Sequence, residues 1–194
     1  AEQGSFGARA DRAMRLVRDY PDIARRLLEK LTTMTIDYLK LQIEAGAAAI
    51  QLFESAANLL SPRFYEEWAL PYHQQIFDAL PQSVPTIMFA RDWSDPTQLQ
   101  ASGATVLSLT EHVHILDVRA QLGNSTIVQG NLDNTLLVTG TKEAIADAAR
   151  ACVAEGGHRG HIFNLSHGLL RDTPFENVVH VIEIVKTISN THPT

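Results

Sequence analysis

A helical stretch followed by a short apolar strand recurs five times along this chain, with no hairpin signal between successive strands. Strands joined by helices rather than tight turns must run parallel. A helix is expected over 21–45: Ile23, Leu27 and Leu31 recur every four residues, Leu28, Leu39 and Ile43 widen the apolar stripe, and Gly46 ends it. A β-type run over 49–53 follows. Ser61 and Pro62 supply an N-cap and a proline at the first helical position, opening a helix expected to reach Leu80 ahead of a strand over 84–89. Asp95-Pro96 starts a short helix that Gly103 stops, and a strand over 106–109 follows. A helix over 115–122 stops at Gly123-Asn124 and leads to a strand over 126–129. Another opens at Thr141, ends at Gly156-Gly157 and gives a strand over 161–165. In the last helix, Thr173 and Glu176 have capping-box spacing, and Val178, Val181, Ile182 and Val185 form a core face.

The strand runs are continuously apolar, as suits strands buried on both faces. A closed eight-stranded barrel takes about 250 residues. A chain of 194 residues with five strands therefore fits an open α/β sheet or part of a barrel. No linker or low-complexity segment divides it, so a single domain over 1–194 is expected.

Composition narrows the function. Hydrophobic residues make up 45% and charged residues 20%, an ordinary globular balance. The net charge of −6 argues against a nucleic-acid partner, which needs a basic patch. Arg9, Arg12, Arg15 and Arg18, then Arg25 and Arg26, read as a solvated helix face. The single cysteine, Cys152, allows no intrachain disulfide or multi-cysteine metal site, and its apolar surroundings suggest a buried helix residue rather than a nucleophile. No stretch reaches the roughly 18 apolar residues of a membrane span. A cytosolic protein with no membrane partner is expected. Ala1-Glu2-Gln3-Gly4-Ser5 has no initiator Met and runs quickly into helical pattern, which suggests a start inside a larger protein.

In parallel α/β folds the functional groups collect at the carboxyl ends of the strands. Here those ends read Phe53-Glu54-Ser55, Ala90-Arg91-Asp92-Trp93, Thr110-Glu111-His112, Gly130-Asn131-Leu132-Asp133 and Ser166-His167-Gly168, all polar or titratable. There is no G-x-G-x-x-G, Walker sequence, H-E-x-x-H or nucleophile elbow. His112 and His114 fit a loop-to-helix edge better than a zinc site, and His158 and His161 lie at the wrong end of their strand for the rim.

The segments then match a known family. Gln51-Leu52-Phe53-Glu54-Ser55, Leu60-Ser61-Pro62 and Ala69-Leu70-Pro71-Tyr72 resemble a stretch of the uroporphyrinogen decarboxylases. Gln129-Gly130-Asn131-Leu132-Asp133 is similar to their Q-G-N-L-D segment. The run from His161 through Gly168-Leu169, with Asp172-Thr173-Pro174 and Glu176-Asn177-Val178, is similar to their N-L-G-H-G signature and closing helix. The resemblance covers nearly the whole chain but only about the second half of the family's (β/α)8 TIM-type barrel. The family's arginine-rich substrate motif and central aspartate have no counterpart here.

The resemblance implies a carboxy-lyase of porphyrin and heme biosynthesis that removes carbon dioxide from tetrapyrrole acetate side chains without metal or organic cofactor. It implies that Phe53 lines the cavity, that Ser55 hydrogen-bonds a substrate carboxylate, and that His167 contacts a carboxylate and assists proton transfer. Activity would need the missing half, supplied by a homodimer or a complementing barrel half. The chain also departs from the family: Ser166 replaces glycine, with a loss of φ freedom, Leu109-Thr110-Glu111 stands for L-D-W, and Asn134 and Arg171 stand for prolines. Two alternatives compete. A corrinoid-linked methyltransferase relative would need His-x-Cys and a later Cys where this chain has Phe89-Ala90-Arg91 and Ser166-His167-Gly168. A half barrel that only binds a partner would use its exposed edges.

Overall fold

In a computed structural model, which describes residues 2–191 and the side chains of 11–188, the strands are β1 (Ile50–Glu54), β2 (Thr86–Ala90), β3 (Val106–Ser108), β4 (Ile127–Gln129) and β5 (His161–Ile162). The helices are α1 (Glu2–Asp19), α2 (Pro21–Glu44), α3 (Pro62–Trp68), α4 (Leu70–Asp78), α5 (Pro96–Ala101), α6 (Ile115–Leu122), α7 (Leu136–Thr139), α8 (Lys142–Gly156) and α9 (Phe175–Thr191), with a 3-10 turn at Ala57–Leu59. Ala1 lies outside the described residues, and Arg9 outside the described side chains.

Each strand pairs in parallel with its neighbour in sequence, giving the order β1-β2-β3-β4-β5. The order never reverses, as it would in a doubly wound sheet. One-way winding curls a sheet toward a barrel. The curl can be measured: β1 and β4 would lie about 14 Å apart in a flat sheet, yet Gln51 and Gln129 touch side chain to side chain at 3.3 Å. The barrel is open, because β1 and β5 are the two edges of the sheet.

The pleat sorts the residues. Ile50, Met88, Ala90, Leu107, Leu109 and Val128 face outward into a core shared with Tyr65, Leu70, Ile76, Phe77, Leu99 and Ile115 of the helical layer. A second core joins Leu132, Leu137, Ile145, Ala149 and Val181 between α7, α8 and α9. Gln51, Phe53, Ser55, Phe89, Ser108 and Gln129 alternate with the outward set and line the concave side.

The expected cap at Ser61 forms, and the expected helix starts at Asp95 and Thr141 are capped too, each side-chain oxygen accepting backbone N–H groups of its first turn. Three local readings need correction. The helix expected to run from Ser61 to Leu80 breaks at Ala69, because Pro71 has no N–H to continue the ladder and sits instead in the first turn of α4. Thr173 forms no capping box: α9 starts at Phe175, and the Thr173 hydroxyl is buried without a partner. The stripe on α2 faces the core only in part: Leu39 is buried and Ile43 packs against the core, but Ile23, Leu27 and Leu31 are 55%, 46% and 43% exposed. Tyr20, Met34, Tyr38 and Leu41 continue that exposed face.

Candidate active site

Of the five polar strand ends, those of β1 and β5 meet at one cavity. It measures about 300 Å³ and is lined by Gln51, Phe53, Ser55, Phe89, Ser108, Gln129, Asn164, Leu165, His167 and Gly168. All three residues expected from the sequence, Phe53, Ser55 and His167, lie there. Phe53 packs on Phe89 at 5.5 Å between ring centroids, and Phe89 meets the edge of His167 at 5.7 Å, so the aromatic rings form one wall. Phe53 is 61% exposed, leaving the cavity wide open on that side.

His167 is fixed by its neighbours. The Gly168 N–H donates to its Nδ1 at 2.7 Å, so the neutral ring carries its proton on Nε2. Asn134 Nδ2 donates to the Gly168 carbonyl at 2.7 Å, tying this turn to the segment after β4. A proline at that position could not donate, so the departure at Asn134 adds an anchor. Ser166 takes no positive φ, so the side chain it carries in place of glycine brings no backbone strain. Its hydroxyl is instead buried without a partner.

The other strand ends serve the fold. After β2, Arg91 pairs with Asp92 at 3.6 Å and Trp93 stacks on Tyr65 at 4.6 Å. After β3, Glu111 pairs with His112 at 3.2 Å, and His114 occupies the N-cap position of α6 near Glu155 at 3.6 Å. After β4, Asn131 Nδ2 donates to the carbonyls of Thr110 and Val113, and Asp133 caps Thr135. His161 points outward, with Nε2 at 2.6 Å from the Gly130 carbonyl, and burial pushes its pKa down. Cys152 is buried, which pushes its thiol pKa up, away from nucleophile chemistry. Among the described residues, no group of three or more His, Cys, Asp or Glu is placed to hold a metal.

Two features of the site were not read from the sequence. The first is the polar interior: Gln51, Ser108, Gln129 and Asn164 point into the cavity. Polar residues at inward positions of apolar strands were the available signal. The second lies behind Ser55. Glu54 reaches His73 at 3.5 Å, and His73 Nδ1 meets the Tyr65 hydroxyl at 3.2 Å. Burial raises the Glu54 pKa, but His73 and the Ala56 N–H outweigh it and hold the carboxyl below its usual range. Burial, aided by the Glu54 charge, pushes the Tyr65 phenol well above its ordinary value. The Glu54–Ala56 bond at 3.2 Å closes the turn that presents Ser55.

A family profile described as uroporphyrinogen decarboxylase matches residues 3–188. The uroporphyrinogen decarboxylase of Geobacter sulfurreducens is 39% identical over 171 residues, 87% of this chain and 50% of that protein. A chloroplastic uroporphyrinogen decarboxylase of Zea mays is 40% identical over 172 residues, covering 87% of this chain and 44% of that protein. The chain thus spans about half the length of the curated relatives it matches. Among solved structures, a methyltransferase from Methanosarcina mazei superposes with a TM-score of 0.79 over 92% of this chain and 53% of its own; at 20% identity this shows the shared fold alone. On the profile match and these relatives, the chain belongs to the uroporphyrinogen decarboxylase family.

Proposed function

We propose that this chain forms the carboxyl-terminal half of a barrel decarboxylase, acting without a cofactor on the acetate side chains of uroporphyrinogen, with Phe53 as cavity wall and Ser55 and His167 as carboxylate ligands. The observation that carries the reading is the convergence of Ser55 and His167, from opposite edges of the sheet, on one cavity. Protonation of a pyrrole carbon makes the ring an electron sink. The carbon–carbon pair then moves into the ring as carbon dioxide leaves. A proton delivered to the resulting methylene gives the methyl product, and loss of the first proton restores the pyrrole. With Nδ1 occupied, His167 offers its Nε2–H as a hydrogen-bond donor to a carboxylate.

This half cannot act alone on so large a polyanion. Its cavity of about 300 Å³ sits at the low end for small-molecule sites, roughly 300–1,000 Å³. Among the described residues, no lysine or arginine lines it to balance the remaining carboxylates. The open sheet edges at β1 and β5 and the apolar face of α2 suit a complementing barrel half. A single domain over 1–194, a homodimer and a cytosolic setting belong to the same proposal.

The test is to combine the chain with the amino-terminal half of the Geobacter sulfurreducens relative, supply uroporphyrinogen, and follow carboxylate loss by chromatography. The mixture is expected to decarboxylate, and His167→Ala to slow it by roughly 100-fold. Unchanged turnover and product distribution in His167→Ala would remove that residue's role.

A further inference from the structure

Deep in the cavity, side chains from three strands form a hydrogen-bonded set. Gln129 Nε2, on β4, donates to Gln51 Oε1 on β1 at 3.3 Å and to Ser108 Oγ on β3 at 3.1 Å. Ser108 and Gln129 are 3% and 4% exposed. A glutamine amide has only two N–H bonds, so Gln129 spends both on its neighbours. Each neighbour is thereby fixed as an acceptor through its oxygen. What remains unspent is the amide N–H pair of Gln51 and the hydroxyl proton of Ser108. Among the described residues neither has a protein acceptor, and both residues line the cavity. The set therefore presents donors at a place where a ligand must supply the acceptors.

We propose that Gln51 and Ser108 are specificity-determining residues that bind the acetate carboxylate due to be lost, and that Gln129 is the positioning residue that orients them. The proposal rests on the reading of this cavity as a carboxylate site. Its chemistry follows from the donors themselves, which are neutral. A cation beside the departing carboxylate would stabilise the ground state more than a transition state whose charge is moving into the ring. Neutral amide and hydroxyl donors hold the same carboxylate without that imbalance. A carboxylate that stays on the product has no such requirement, so a neutral donor set suits the acetate.

The test is a fluorescence titration of the chain, combined with the amino-terminal half of the Geobacter sulfurreducens relative, with two porphyrins: uroporphyrin, which carries acetates and propionates, and coproporphyrin, in which methyl groups replace the acetates. The wild-type chain should prefer uroporphyrin. Gln51→Leu and Ser108→Ala should each shrink that preference by roughly tenfold, since a hydrogen bond to a charged group is lost. Gln129→Leu should shrink it at least as far, and Ser108→Thr, which keeps the hydroxyl, should retain it. Coproporphyrin affinity should hold within about twofold, which general loosening of the cavity would not allow. A preference that survives in all three deletions overturns the assignment and leaves the carboxylate reading standing. A wild-type chain with no preference overturns both. Should Gln129→Leu fail to fold, the Gln51 and Ser108 variants decide the matter.

Discussion

Glu54→Gln tests whether the network behind β1 holds the turn that carries Ser55. Glu54 Oε1 accepts the Ala56 N–H at 3.2 Å, and Oε2 faces His73 Nε2 at 3.5 Å. Glutamine keeps the shape and the acceptor for Ala56 but removes the charge. A hydrogen bond to a charged group contributes about 1.5–3 kcal/mol, against about 1 for a neutral one. The His73 contact is long and the Glu54 side chain is 26% exposed, so the low end applies: about 0.5 kcal/mol at each of the two contacts, or about 1 kcal/mol near neutral pH. The dependence on pH has a definite sign. The folded pKa of Glu54 lies below the ordinary glutamate value of 4.5, because His73 and the Ala56 N–H outweigh the burial that would raise it. A depressed carboxylate contributes its full stability above the unfolded pKa and loses it as pH falls through the folded one. The gap between wild type and variant should therefore be constant above pH 4.5 and close as the pH drops further. Urea unfolding followed by circular dichroism over that range measures it. Equal midpoints at neutral pH, or a gap that widens on acidification, would refute the reasoning.

Other perturbations follow from the same geometry. Gly156→Ala drives a methyl group into the His161 ring and should lower stability by about 1–3 kcal/mol in thermal melts. Leu31→Lys, on the exposed face of α2, should change stability by no more than about 0.5 kcal/mol in the chain alone. A larger loss would mean that this face is already covered. Burial holds the folded pKa of His161 below 6.5, so the unfolded chain takes up its proton first and stability should decline as pH falls through that value. His161→Gln should flatten that part of the pH–stability curve.

Local chemistry explains which parts of the fold were legible. The caps at Ser61, Asp95 and Thr141 and the stops at Gly103 and Gly123 depend on the residues themselves, and they sit where the spacing predicts. The break at Ala69 is equally local, but Pro71 sits inside a longer apolar helical pattern that masks it. The α2 stripe misled because periodicity identifies an apolar face without saying what covers it. Ile23, Leu27 and Leu31 have the right spacing and stay about half exposed. At the site, Phe53, Ser55 and His167 stood out because they carry the family's motif. Gln51, Ser108 and Gln129 did not, because one polar residue in an apolar strand looks the same whichever way it points. Only the register and curl of the sheet bring β1 and β4 within reach of each other.

The central claim is that a tetrapyrrole carboxylate enters between Ser55 and His167. A histidine-selective nitrogen NMR titration with uroporphyrin addresses it directly, because the alternatives are spatially distinct. His167 lines the cavity, His73 lies behind the sheet, and His112 and His114 stand on the α6 side. The predicted result is a saturable shift at Nε2 of His167 that Ser55→Ala weakens, while His73, His112 and His114 stay still. Saturation that moves His112 or His114 and leaves His167 unchanged would place the ligand elsewhere and contradict the account.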